Sequence, residues 1–483
     1  MVPRNLTRRQ FLTCVGTGAT GLLLLAACAG QPPTPTPAPA KPAAQPPTPT
    51  SAQAKPAAEA PRPAPSPTAA APKPTDTPAQ KPAAKAGTVP LKLMSWDAPG
   101  TVLDEFLAGF DRAQGTSTEY IHVPYSGYRE KLLTMLVGGV PADVMLIMVF
   151  EVPEFAARDQ LLELDPYMRR DNFDTSDFFE TALQAGRWKG KQHGIGDNFV
   201  YKILFYNTEL FEKAGVQRPP ADWRDRSWNW DKFLDAAVKL TKKESGQRPI
   251  QYGFAFGSGA VNVMPWVWSN GGELIDESYS KVHMAEPPAV EALQFLQDLQ
   301  YKHGVAPTPD ALATESLGKM ASGGKVAMWW DGPWTMAGLR NTQLKWDIAP
   351  LPSGKAGSSS CAEGAVWSVA ARSPQREKGW KLLEHLVSRE GQLAMIKRFG
   401  FPGSRKSIAQ SEAFLGVKPP EHTKVAAEGG QFARVMPRMV NWAEVNKAFN
   451  DSLSFLVNNE KSGKEVGQLL TDKITPLLAK AQG

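Results

Sequence analysis

The chain has 483 residues, with 54 lysines and arginines against 48 acidic residues and a formal charge of +6. That charge sits outside the part that can fold. Residues 1–30 hold three arginines and no acid, residues 31–89 contribute +4, and the remainder is left at −1, which removes the electrostatic case for a nucleic-acid partner. Residues 31–89 also hold 18 of the 42 prolines and 17 alanines but no aromatic residue, so they cannot bury enough apolar surface to offset their ordering entropy and read as a linker. All 14 tryptophans lie beyond it, in a stretch long enough for two cores.

In chain order, TRRQFL at Thr7 to Leu12 precedes an apolar run that ends LLLLAACAG. A positive start before a run too short to span a bilayer reads as an export signal. Arg8, Arg9, Phe11 and Leu12 resemble the twin-arginine signal, with Thr13 where lysine is frequent; a general secretory signal is the alternative. Leu25-Ala26-Ala27-Cys28 resembles the bacterial lipobox, whose cysteine is acylated and becomes the mature N-terminus. The expected division is therefore an export signal with lipobox at 1–28 and a linker at 29–89. Of the three cysteines, Cys14 would leave with the signal, Cys28 would carry lipid, and Cys361 would remain without a disulfide partner, a packed or loop thiol. The expected location is the outer face of the cell membrane, on a basic leash of about 60 residues that spans roughly 40 Å as a coil and suits anionic headgroups.

From residue 90 the pattern alternates. LKLMS (91–95) reads as a buried strand, and Val102, Leu103, Phe106, Leu107 and Phe110 then share one helical face. TEYIHV (118–123) is a second strand, Tyr128 to Val137 a second helix, and ADVMLIM (142–148) a third strand; this alternation implies a parallel sheet covered on both faces. Further helices are expected at 289–302, 376–398, 441–457 and 464–480. In open α/β sheets ligands bind beyond the carboxyl ends of the strands. The residues there are Trp96 and Asp97, then Phe150 and Glu151, then Asp197 and Asn198.

Several stretches carry a family resemblance. They are GVPADVMLIM, HGIGDNFVYKILFYNTELFEKAGVQRPPADW, GKVAMWWDGPW, WDIAPLPSG and GAVWSVAARSPQREKGWKLLEHLVSREGQ, in that order over nearly all of residues 90–483. They resemble the family 1 extracellular solute-binding proteins of ABC importers, the maltose-binding-like group, with Ala142 inserted before Asp143 and Gly196 where the hinge strand usually has proline. The resemblance implies a two-lobed, periplasmic-binding-protein-like (type II) α/β fold with three interlobe crossings and the ligand held between the lobes. Residues 90–198 and 326–366 would form the N-terminal lobe, and 199–325 and 367–483 the C-terminal lobe. A hinged pair closes on ligand because contacts to both sides exist only in the closed state.

Sugar capture explains the residue types independently. A pyranose shows an apolar C–H face and a rim of hydroxyls, which suit flat aromatic rings and carboxylates or amides respectively. Trp330, Asp331 and Trp334 are expected to line the cleft. Strand alternation in KVAMW separates Val326, Met328 and Trp330 from Ala327 and Trp329, so at least one ring is core, assigned to Trp329. Trp266 or Trp268, before Gly271 and Gly272, is expected to stack on sugar from the second lobe, while Trp223, Trp228, Trp230 and Trp380 read as packing. Glu363 and Trp367 flank the third crossing and are cleft candidates.

Enzyme readings fare worse. The six histidines show no metal-ligand spacing, GKMASGGKV lacks the phosphate-loop pattern, and no Gly-x-Ser-x-Gly elbow is present. A secreted glycoside hydrolase is the rival class, because it needs the same rings and a pair of carboxylates. A binding protein for a non-sugar solute such as a polyamine is the other alternative, since Trp and Asp side by side also suit cations. The expectation is a monomer without cofactor that binds a carbohydrate, an oligosaccharide in class, delivers it to ABC importer permease subunits and is anchored to the membrane through lipid on Cys28.

Overall fold

The computed structural model describes residues 87–198, 200–244, 248–400 and 403–481. The export signal, Cys28 and all but the last three residues of the linker lie outside the described residues. The first sheet begins where expected. Strands β1 (Val89–Ser95), β2 (Thr116–His122) and β3 (Val144–Met148) run parallel, and the helix Thr101–Gln114 between the first two buries Leu103, Leu107 and Phe110. That helix stops at Gly115, whose φ of 63° is the left-handed conformation that closes a helix at little cost for glycine. A short hairpin, β4 (Arg187–Trp188) and β5 (Lys191–Gln192), leads to β6 (Ile195–Asn198), an edge of this sheet.

The chain then enters a second sheet built from β7 (Ile203–Asn207), β8 (Lys242–Lys243), β9 (Pro249–Ala255), β10 (Val326–Asp331) and β11 (Trp346–Ala349). After β12 (Ser360–Ala362) it returns to the first sheet as β13 (Ala365–Val369); β14 (Ala433–Val435) pairs with β12. The strand orders are β2-β1-β3-β13-β6 and β11-β7-β10-β9-β8. Each sheet has its own buried clusters, so the fold is two α/β lobes. No helix among the described residues is long and apolar enough to cross a membrane.

Two expectations are corrected. The first boundary, near residue 198, falls at the passage from β6 to β7, but strands β10 and β11 within 326–366, assigned to the N-terminal lobe, and the start of 367–483, assigned to the C-terminal lobe, lie in the opposite lobes, while the helices from Trp442 onward pack in the second lobe. Val326 and Met328 pair with Tyr252 and Phe254 of β9, and Trp346 pairs with Asn207, so β10 and β11 belong to the second sheet. Trp367 pairs with Leu146 and Ile195, and the helix Arg376–Leu386 packs on β13, which puts this segment in the first lobe. Local patterning marks a strand but not its partner, which only long-range pairing decides. The first sheet is also mixed, because β13 arrives from the other lobe without a helical crossover and so runs antiparallel to β3 and β6.

The helix expected over 376–398 is two helices, Arg376–Leu386 and Arg389–Phe399. Ser388 caps the second by accepting from Gly391 N–H, and a Cβ on Gly391 would meet the Leu386 carbonyl at 2.1 Å. The helix Gly463–Ile474 starts with a capping box between Ser462 and Glu465.

Candidate functional site

Three strand ends of the first lobe supply side chains. Trp96 is half-buried and meets Tyr125 and Tyr128 edge to face, at 5.6 and 4.9 Å between ring centroids, so it supports Tyr125, which is 61% exposed. Beyond β3, Glu151 is buried against Arg129, with Nη1 at 2.5 Å, while Nη2 of the same arginine reaches Glu154 at 2.7 Å. Burial pushes the Glu151 carboxyl up, and Arg129 opposes that shift. Phe150 faces Trp442 of the second lobe at 6.3 Å, and both line a cavity of about 340 Å³ shared by Arg129, Glu151, Asn446 and Asn450. Rings, amides and a fixed carboxylate in a space of that size suit a small polar solute.

The two strands that pass between the lobes carry the densest cluster. Lys202 is nearly buried, with Nζ 3.1 Å from Glu363 Oε2, 3.8 Å from Asp331 Oδ1 and 4.7 Å from the centroid of the Trp334 ring. Burial alone would lower its basicity, but Glu363 and Asp331 outweigh that and hold the ammonium above its usual range. Burial raises both carboxyls, and Lys202 counteracts it. Trp334 lies against Gly332, where a Cβ would come within 2.1 Å of the ring, yet it remains 38% exposed. The Tyr125 hydroxyl is pushed up to about 12, first by the protein packed around its otherwise 61% exposed side chain and then by the charges of Glu363 and Glu151.

Asp97, Asp197, Asn198 and Trp367 form a separate corner. Asp197 is 1% exposed and accepts from Trp367 Nε1 at 2.6 Å and from Asn198 Nδ2 at 2.8 Å, while its backbone carbonyl accepts from Gln392. Its carboxyl is pushed up to about 7, first by burial and then by the charge of Asp97. Asp97 is itself pushed up by burial against the pull of Arg398, and its carbonyl accepts from Tyr120 at 2.6 Å. The space among these groups is about 30 Å³, room for little more than a water.

Three expected platforms are core. Trp330 is 1% exposed, because β10 lies in the middle of its sheet with helices on both faces; Trp329 on the opposite face stacks on Phe205, as expected. Trp266 is fully buried among Trp230, Phe233, Phe254 and Phe295. Trp268 donates Nε1 to Glu273, and the Arg434 guanidinium covers its face at 4.9 Å. The helix Ala260–Ser269 is apolar on nearly all sides and so goes to the interior. Trp380 is core as read, whereas Trp223 packs apart from Trp228 and Trp230 in a different cluster. Cys361 is a fully buried thiol, pushed up by burial.

Sequence reasoning missed Tyr125, Arg129, Lys202 and Trp442. A lysine inside the otherwise apolar KILFYN was the one available signal, since an unpaired charge does not persist in a strand buried on both sides. Among the described residues, Asp347, Glu421 and His422 bring three possible ligand atoms within 4.8 Å of one another. Asp347 already accepts from Tyr206 at 3.2 Å and faces His422 Nδ1 at 2.5 Å, so the group is a hydrogen-bonded cluster on the edge strand β11.

Two α/β lobes joined by exchanged strands, with an exposed indole and fixed charges at the junction, define a two-lobed periplasmic-type binding protein. The profile of the bacterial extracellular solute-binding protein family matches residues 95–393, and the chain belongs to that family. A putative binding protein of Brucella abortus is 25% identical over 372 residues, covering 75% of this chain and 86% of its own. The diacetylchitobiose-binding protein of Streptomyces coelicolor is 22% identical over 406 residues, covering 81% and 90%. Among solved structures, an ABC substrate-binding protein of Listeria monocytogenes in complex with cycloalternan superposes with a TM-score of 0.75 at 23% identity, over 81% of this chain and 99% of that one. The maltose-bound MalE3 of T. maritima gives 0.70 at 24% identity, over 81% and 100%.

Proposed function

We propose that this protein captures a carbohydrate of oligosaccharide size between its lobes and delivers it unaltered to the permease of an ABC importer. The observation that carries the reading is Trp334: an indole that rests against Lys202 and Gly332 and remains 38% exposed, beside the Glu363 and Asp331 carboxylates. Phe150, Trp442 and Tyr125 supply further ring surface from both lobes. Relatives named for diacetylchitobiose and arabinooligosaccharide, and neighbours solved with cycloalternan and maltose, support the solute class. The lobes close about the strands that exchange between the sheets. The lipobox-like stretch Leu25 to Cys28 supports a tether outside the membrane through acylated Cys28.

The test is a thermal-shift screen of the protein with maltotriose, arabinotriose, N,N′-diacetylchitobiose, cycloalternan and spermidine, followed by chromatography of the sugars. A saturable rise in Tm with at least one sugar and no new product is expected, since ligand at a hundred times Kd stabilises by about 2.7 kcal/mol. Release of smaller sugars would make the protein a glycoside hydrolase, and a response to spermidine alone would replace the carbohydrate.

A further inference from the structure

Lys202 has its position fixed from two directions before its side chain does anything. Its backbone N–H donates to the Cys361 carbonyl at 3.2 Å and its carbonyl accepts from Ser360 Oγ at 2.6 Å, so the second interlobe strand clamps the first at this residue. Glu363 N–H donates to Val200 at 2.8 Å, and Tyr201 bridges to Ala362, which closes the same clamp on either side. From that fixed base the side chain extends beneath the Trp334 ring and between the Glu363 and Asp331 carboxylates. Trp334 belongs to the second lobe's turn after β10, Glu363 to the return strand and Lys202 to the outgoing strand. One ammonium therefore touches side chains from the outgoing strand's partner segment and from the turn after β10.

We propose that Lys202 is the positioning residue of the site: it fixes the plane of Trp334 and the place of the Glu363 and Asp331 carboxylates, and so couples ligand stacking to the hinge. It acts through the ring and the carboxylates rather than on ligand directly, since it is 6% exposed and its ammonium is taken up by them. The role in binding rests on the carbohydrate reading; the role in fixing ring and carboxylates does not. Without the ammonium, two largely buried carboxylates would be left near one another with their burial unopposed, so protonation would reach them at higher pH, and a protonated carboxyl donates where the site needs an acceptor. The other titratable groups around the cluster are Cys361 on the neighbouring strand and Tyr125 and Glu151 across from Glu363.

The experiment uses the full chain labelled with 5-fluorotryptophan, with the Trp334 fluorine resonance assigned as the one lost in Trp334→Phe. In the wild type this resonance should follow protonation of Glu363 and Asp331 in the acid range. Lys202→Met should displace the resonance and move its pH midpoint upward, and Lys202→Arg should bring the midpoint back. An unchanged resonance and midpoint in Lys202→Met overturns the proposal. Where Lys202→Met does not fold, the wild type decides: a lysine ε-methylene shifted upfield by the indole, returning to its ordinary position in Trp334→Ala, supports the contact, and its absence overturns it. In calorimetry, maltotriose should bind Lys202→Met about tenfold more weakly than wild type, with the loss growing on acidification. Equal affinity at every pH contradicts the coupling. Failure of the wild type to bind any of the sugars tested would instead remove the carbohydrate reading and leave the fluorine result to decide on Lys202 alone.

Discussion

Two sites pair a tryptophan with a carboxylate, one inside the first sheet and one beside the strands exchanged between the lobes, and they bury the ring to different extents. At Trp367 the indole N–H donates to Asp197 at 2.6 Å, both groups are sealed, and the carboxyl is pushed up to about 7 because no cation faces it closely. At Trp334 a lysine faces the carboxylates, the indole also hydrogen-bonds to Asp331, and the ring stays 38% exposed. The difference teaches where a ligand can sit. A ring sealed together with its acceptor is a packing element of the first sheet, whereas a ring that rests on an ammonium and keeps part of its surface exposed is available to stack.

Substitutions at the two rings should therefore separate stability from affinity. Trp367→Ala should cost about 3–5 kcal/mol in urea denaturation, the range for emptying a large buried aromatic site, with Trp334→Ala nearly silent in the same assay. Equal losses would erase the distinction.

The pH dependence at Asp197 comes next in size. Its folded carboxyl titrates near 7 against an ordinary value of 3.8, so between those values the folded state holds a proton that the unfolded state has released. Stability contributed by this group is greatest at low pH and falls as pH rises toward 7, at roughly 1.4 kcal/mol per unit of raised pKa. Asp197→Asn should flatten that part of the curve, read as Tm between pH 4 and 7. A fall over that range as steep in the Asn variant as in the wild type would contradict the sealed-carboxyl account.

Smaller again, Trp334→Ala should weaken the binding of any sugar that passes the thermal screen by about 1.4–2.8 kcal/mol, or tenfold to a hundredfold in calorimetry. The smallest effect is expected at Trp268. Trp268→Phe removes the donor to Glu273 but no cleft surface, so sugar affinity should stay within about twofold while stability drops by about 1 kcal/mol.

Much of the architecture was legible because it depends on local periodicity. The alternation from LKLMS onward places β1, β2, β3 and their helices within a few residues, and Trp329 and Trp380 follow from strand and helix faces. What was not legible depends on pairing at long range. KVAMWW reads equally well in either lobe, and only its register with Tyr252 and Tyr206 assigns it to the second. The same limit explains the site. A tryptophan in VMPWVWSNGG looks like a platform until Phe233, Phe254 and Phe295 are seen around it. Lys202 shows its role only when Glu363, 161 positions later, and Trp334 arrive beside it.

The central claim is that the exposed surface of Trp334 holds the solute. The most direct measurement is a crystal structure of the protein with whichever sugar of the panel gives the largest thermal shift. A pyranose ring lying parallel to the Trp334 indole at about 4 Å, with a hydroxyl on Glu363 or Asp331, is the predicted result. A sugar bound elsewhere with Trp334 facing solvent would contradict it.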